Sequence, residues 1–287
     1  MKRILHSEKL LFLLAGMAVL LLPNLSYAAD PLYSVGLGFE FTSGDYGTGI
    51  NTDFVSVPFT IAVNPTRRLD FSLEIPYVYQ SSSAVVAGQF MGMGSQSMGS
   101  GMTTSAALSM SGPGPRSNAS TDNLNKSQSG LGDMVLKGGY ILYSEEKYIP
   151  AIRPNFSIKF PTADKNKYLG TGAFDEGFGV ELSKWFGNWL TDGEVGYTLQ
   201  GKSTVLDVKD YLYYTAGLGY QVSEHFRPMF LLKGNTAPVV GATSQLEARV
   251  RLKFQFGNHT GIDGYVAKGI TTASPDYGTG LAVFYEF

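Results

Sequence analysis

The chain has no cysteine among its 287 residues and only three histidines. Without cysteine there is no disulfide framework and no thiolate to act as nucleophile or metal ligand. His6 lies near the start, and His225 and His259 fall between expected strands, so no histidine is placed as the base of a hydrolase. No nucleotide-binding loop or zinc spacing occurs. Lys and Arg number 22 against 24 Asp and Glu, which leaves no basic excess for nucleic acid. These absences argue against an enzyme, a cofactor and a nucleic-acid partner. Long apolar runs are scarce too, the one clear case being Leu10 to Leu22.

Lys2, Arg3 and Lys9 precede that run and Ser26-Tyr27-Ala28 follows it, the layout of a secretory signal. The competing reading is a membrane anchor, but the run is shorter than the ~20 residues a spanning helix needs. Residues 1–28 are therefore expected to be a cleaved signal peptide and 29–287 a single β-barrel. Losing Lys2, Arg3, Lys9 and Glu8 takes 22 basic and 24 acidic residues to 19 and 23, a formal charge near −4. Beyond residue 29 no stretch can span a membrane as a helix. The mature chain either stays in water or crosses as strands.

Aromatic residues and glycine are abundant, with 17 Tyr, 18 Phe and 35 Gly, yet mean hydropathy is near zero. A greasy outer face and a polar interior average out in this way. Period-two alternation predicts twelve strands, near 32–42, 53–63, 69–80, 131–143, 150–160, 174–186, 189–200, 210–222, 226–235, 245–256, 260–270 and 277–287. The tenth is clearest: Leu246, Ala248, Val250, Leu252, Phe254 and Phe256 alternate with Gln245, Glu247, Arg249, Arg251, Lys253 and Gln255. The last alternates to its end, with Tyr285 and Phe287 on the outward parity. Connections alternate between short and long, and the count is even. Both are expected of an all-β, up-and-down outer-membrane barrel in antiparallel order with periplasmic short turns. A soluble sandwich or lipocalin-like barrel would show the same alternation with the faces reversed.

The stretch from Gly130 to Phe287 resembles the outer-membrane barrel family of the MetA pathway of phenol degradation. The resemblance rests on Gly130-Leu131-Gly132-Asp133, Phe160-Pro161-Thr162-Ala163-Asp164 and Leu169-Gly170-Thr171-Gly172, in that order. It continues through Leu182-Ser183-Lys184, Gly196-Tyr197-Thr198 and Ala273-Ser274-Pro275-Asp276-Tyr277-Gly278. It implies an outer-membrane channel or uptake barrel of a Gram-negative bacterium, linked to aromatic compounds. The ending resembles the signal read by the barrel-assembly machinery, with Tyr285 and Phe287 as its aromatics. Lipid, that machinery and a small-molecule solute are the partners this implies.

Parity assigns a lumen. Arg153 and Lys159 line it from strand five, Asp175 and Glu181 from strand six, Asp192 and Glu194 from strand seven. Arg227 and Lys233 line it from strand nine, and Arg249, Arg251 and Lys253 from strand ten. The expectation is a basic arc opposite an acidic arc, giving a transverse field across a pore. In the alternative the charges pair and close the barrel, leaving a structural or surface-binding role to the long loop. That loop, 81–129, is rich in Gly, Ser and Met. Met91, Met93, Met98 and Met102 could offer thioethers to Cu(I) or silver, although a flexible loop with incidental methionines explains them more simply.

Overall fold

A computed structural model describes residues 33–83, 85–86, 114–115, 126–256 and 259–287. The expected signal peptide and Met91, Met93, Met98 and Met102 lie outside the described residues, as does most of the long loop.

Among the described residues twelve antiparallel strands close into one barrel. They are β1 Tyr33–Gly44, β2 Thr52–Thr66, β3 Leu69–Gln80, β4 in two segments Gln128–Leu131 and Met134–Tyr140, β5 Ala151–Phe160 and β6 Asp175–Phe186. Then come β7 Trp189–Gln200, β8 Tyr211–Tyr220, β9 Phe226–Asn235, β10 Gln245–Phe256, β11 Thr260–Gly269 and β12 Tyr277–Glu286. Each pairs with its sequence neighbours, and β12 returns to β1. Closure leaves no free edge, which a strand protein in lipid requires. The seam is fully paired from Ser34↔Glu286 to Ser43↔Tyr277, and the Phe287 amide donates to the Tyr33 carbonyl at 2.9 Å. A two-residue ladder, Val85–Val86 with Gly114–Pro115, stands outside the barrel.

The facing of side chains decides what surrounds the barrel. On β10, Val250 and Leu252 are 45% and 47% exposed, whereas Arg249 and Arg251 are each 5% exposed. On β12, Leu281, Val283 and Tyr285 are exposed while Ala282, Phe284 and Glu286 are buried. Apolar residues point out and charges point in, the reverse of a soluble barrel. Trp189 meets Tyr220 and Phe254 meets Phe256 edge to face at the short-turn end. That is where an aromatic girdle belongs.

The largest differences from expectation, three residues each, are at the start and end of β4, which stops at Tyr140 rather than 143, and at the end of β2. β4 begins at Gln128 rather than 131, because its pairing with β3 slips at Gly132 and Asp133. Tyr77 faces Leu131 but Glu74 faces Val135, so β4 carries one extra residue there, a bulge. Glycine and aspartate hide such a strand from a period-two search. β2 runs on to Thr66 through a register shift after Val63, where Asn64-Pro65 reads as a turn.

Candidate functional site

The interior is built from the inward parity, and all eleven predicted lining residues lie on it. Arg153, Lys159, Asp175, Glu181, Glu194, Arg227, Arg249, Arg251 and Lys253 are buried, and Asp192 and Lys233 are half-buried. Bulk water in a wide lumen would wet such charges. Their burial means that they touch one another, and buried charges need partners.

The partners are interleaved, which corrects the expectation of opposed arcs. Arg251 forks onto Asp263 of β11, with Nε 2.8 Å from Oδ1. Arg249 bonds Glu247 two residues earlier on the same face, at 2.7 Å from Nε, and lies over the Tyr265 ring at 4.5 Å. On the acidic side, Arg153 donates to Asp70 of β3 at 3.0 Å and to Glu181 at 3.0 Å. Lys137 bonds Glu74 at 3.3 Å. β6 and β7 lie only three strands from β9 and β10 in the twelve-strand order, so the two groups are a quarter turn apart. Fields from unpaired opposing arcs would leave buried charges uncompensated, and the fold supplies counter-charges within reach instead.

Inward aromatics complete the wall. Tyr213, Tyr265 and Phe284 each stand directly across from a glycine, namely Gly196, Gly280 and Gly261. A Cβ on Gly196 would come 2.2 Å from the Tyr213 ring, so the ring lies flat where the neighbouring strand has no side chain. Arg153 uses the same device: it crosses β4 at Gly139, where a Cβ would meet its guanidinium at 2.1 Å. Sequence reasoning missed these aromatics and Asp263. The inward parity was a signal for both, and the facing glycines were a second one for the aromatics.

The long-connection mouth is narrowed by the β5–β6 loop, residues 161–174. Tyr168 takes a left-handed conformation, φ 58, and Leu169 behind it is fully buried against Phe54 of β2, Val78 of β3 and Ala163. The loop thus folds inward across β4. It is tied down by the Ala163 amide on Asp133 Oδ1 at 2.9 Å and by Thr162 Oγ1, which donates to the Gly132 carbonyl at 2.9 Å. Beneath it Lys159, 0% exposed, pairs with Asp133 at 3.5 Å and with Asp175, and donates to Thr171 Oγ1 at 2.9 Å. Gly130–Asp133, Phe160–Asp164 and Leu169–Gly172 therefore form one structure. Ala273-Ser274-Pro275 folds over the opposite rim, where Gln245 donates to the Ala273 carbonyl at 2.9 Å.

A profile of the family described as "Putative MetA-pathway of phenol degradation" matches residues 63–287. The chain belongs to this family. The family match reaches back through β3 to the end of β2, further than the motifs alone mark. Among solved structures the barrel is similar to an outer membrane channel of Pseudomonas putida F1. The TM-score is 0.63 at 12% identity, covering 92% of this chain and 98% of that one. It is also similar to the KdgM porin in complex with disordered oligogalacturonate, with a TM-score of 0.50 at 9% identity over 88% and 99% of the two chains. These likenesses establish the fold. Comparison with curated protein sequences yields no match.

At the short-turn end Lys184, on the outward parity, curls to Glu145 at 2.8 Å. Leu190, Met229 and Leu231 pack inside the barrel there with Trp185, beneath the Arg227 guanidinium 5.4 Å from the Trp185 ring. Apolar side chains therefore line part of each mouth beside charged ones, with Lys159, Asp133 and Asp175 at the long-connection end and Arg227, Lys253 and Glu286 at the short-turn end.

Proposed function

We propose that the protein is an outer-membrane channel of a Gram-negative bacterium that passes small solutes, aromatic ones among them, without changing them chemically. The observation that carries this is the facing: a closed strand barrel with an apolar outside and a charged inside. Such a barrel sits in a bilayer and offers a polar route through it. The phenol-degradation description of the family and the channel from Pseudomonas putida F1 support the class of activity. A barrel that remains closed is the second reading, favoured by the depth at which Lys159, Asp133 and Asp175 are paired. Purified protein in a planar bilayer separates the two. The channel reading expects discrete conductance steps, small because the lumen charges touch; a membrane that stays silent at every protein concentration leaves the closed barrel.

A further inference from the structure

The short turns are not alike. β2–β3, β6–β7, β8–β9 and β10–β11 are joined by residues 67–68, 187–188, 221–225 and 257–259, whereas β4–β5 takes 141–150. This longer turn is firmly folded. The Leu142 and Tyr143 amides donate to the Ile152 carbonyl at 2.9 and 3.3 Å, and the Glu146 amide donates to the Ile149 carbonyl at 3.0 Å. Glu145 Oε1 accepts from Lys184 Nζ at 2.8 Å and from the Trp185 amide at 2.9 Å. β6 runs on past its last pair with β5, Ala151↔Ser183, and the turn covers the strand edge left there. On its other side the Ile141 amide donates to the Arg68 carbonyl at 2.7 Å. The β2–β3 turn, the β4–β5 turn and the end of β6 thus make one continuous sector of the rim.

The surface of this sector is apolar and basic together. Leu142, Tyr143 and Ile149 are exposed, and Tyr148 is 84% exposed. Clustered apolar exposure of this kind marks a surface that meets something other than water. Tyr143 bridges directly to Ile152 on the lipid-facing parity of β5, and Phe186 and Trp189 are exposed on the neighbouring hairpin. The turn therefore continues the lipid-facing surface past the strand ends. Charge decides which layer of a bilayer lies there. Arg67, Arg68 and Lys147 are exposed in these two turns, and Lys147 Nζ lies 5.2 Å from the Tyr148 ring centroid. Against them stands one exposed carboxylate, Glu146, since Glu145 is taken by Lys184. Cationic side chains beside aromatic rings, at the margin of a lipid-facing surface, match the phosphate layer.

We propose that the β4–β5 turn is a membrane anchor: Tyr143, Tyr148 and Ile149 sit in the headgroup layer at the short-turn end, and Arg67, Arg68 and Lys147 bind the phosphates of anionic phospholipid. An amphipathic segment lying in the interface binds through both its apolar area and its attraction to anionic lipid. The short connections 221–225 and 257–259 carry no Lys or Arg, so the anchor belongs to one side of the rim. The anchor requires a barrel in a bilayer. It does not require that the barrel conducts, so it stands apart from the channel reading.

The test uses the purified full chain in nanodiscs of phosphatidylcholine, with or without phosphatidylglycerol. The chain has no cysteine, so Tyr148→Cys and Glu224→Cys each offer a single site for a fluorescent label, the second in the exposed 221–225 turn. Acrylamide in the water should quench the label at 148 several-fold less than the label at 224. Phosphatidylglycerol should raise the thermal unfolding midpoint of wild type by about 4 °C. Arg67→Gln, Arg68→Gln and Lys147→Gln combined should lose that rise while keeping the wild-type midpoint in phosphatidylcholine. Glu146→Gln removes the exposed carboxylate and should enlarge the rise, which tests the charge even if the triple variant is unstable in both lipids. Equal quenching at the two sites would overturn the anchor and leave the turn to a protein partner in water. Equal wild-type midpoints in the two lipids, or a rise that neither the triple variant nor Glu146→Gln alters, would overturn the phosphate contact.

Discussion

At the scale of single residues, what holds the interior is a set of long side chains laid over glycines. Arg153 is the clearest, because it ties four strands together. It starts on β5, passes Gly139 of β4 and reaches Asp70 of β3, while its other amine holds Glu181 on β6. Only a residue without Cβ at 139 leaves room. Arg153 is flexible and could move aside for a methyl, but moving aside ends its contact with Asp70. Removing one partner from a buried ion pair costs about 3–5 kcal/mol. Gly139→Ala should therefore lower stability by about 3 kcal/mol in urea unfolding from lipid vesicles, although alanine is otherwise acceptable in a strand. A loss below about 0.5 kcal/mol would mean that the guanidinium does not lie there. The charge on Arg153 was legible in the sequence, since parity alone put it inside. Its partners were not, because they depend on which neighbouring strand has a gap, and that requires the register.

At the scale of elements, strands and loops were legible to different degrees. A lipid-facing strand must alternate, so β10 and β12 announced themselves through Val250, Leu252, Leu281 and Val283. β4 was misjudged at its start because a bulge breaks the period at Gly132-Asp133. The β5–β6 loop carried no signal that it folds inward: Leu169 in a glycine-rich loop reads as an exposed residue, yet it is buried against Phe54 and Val78. Burying a leucine is worth about 1.5–3 kcal/mol, enough to hold the loop across the mouth without making it part of the barrel. Leu169→Asp should release it. Single-channel conductance should then rise while strand content and heat-modifiability stay at wild-type values. An unchanged conductance would show that the narrowing lies deeper, among the charges. Loss of the folded band would show that the loop is needed for the barrel itself.

For the whole molecule the question is which medium each face meets, and here charge and pairing have opposite consequences on the two sides of one strand. Val250 faces out and Arg249 faces in, one residue apart. An arginine in place of Val250 meets lipid and should cost about 2–4 kcal/mol near the bilayer midplane. Arg249→Gln removes the partner of a buried Glu247 and should cost about 3–5 kcal/mol. The two losses look alike, so neither alone proves the facing. The double change Glu247→Gln with Arg249→Gln separates them. A buried ion pair replaced as a unit by neutral groups is near neutral in stability, so this barrel should unfold within about 1 kcal/mol of wild type, while no inward change rescues Val250→Arg. Urea titration of all four proteins in the same vesicles reads both effects. If Val250→Arg matches wild type, the apolar face is not in lipid. If the double variant is as unstable as Arg249→Gln, Glu247 is not the partner that Arg249 neutralises, and the interleaving of charge across this lumen is wrong at β10.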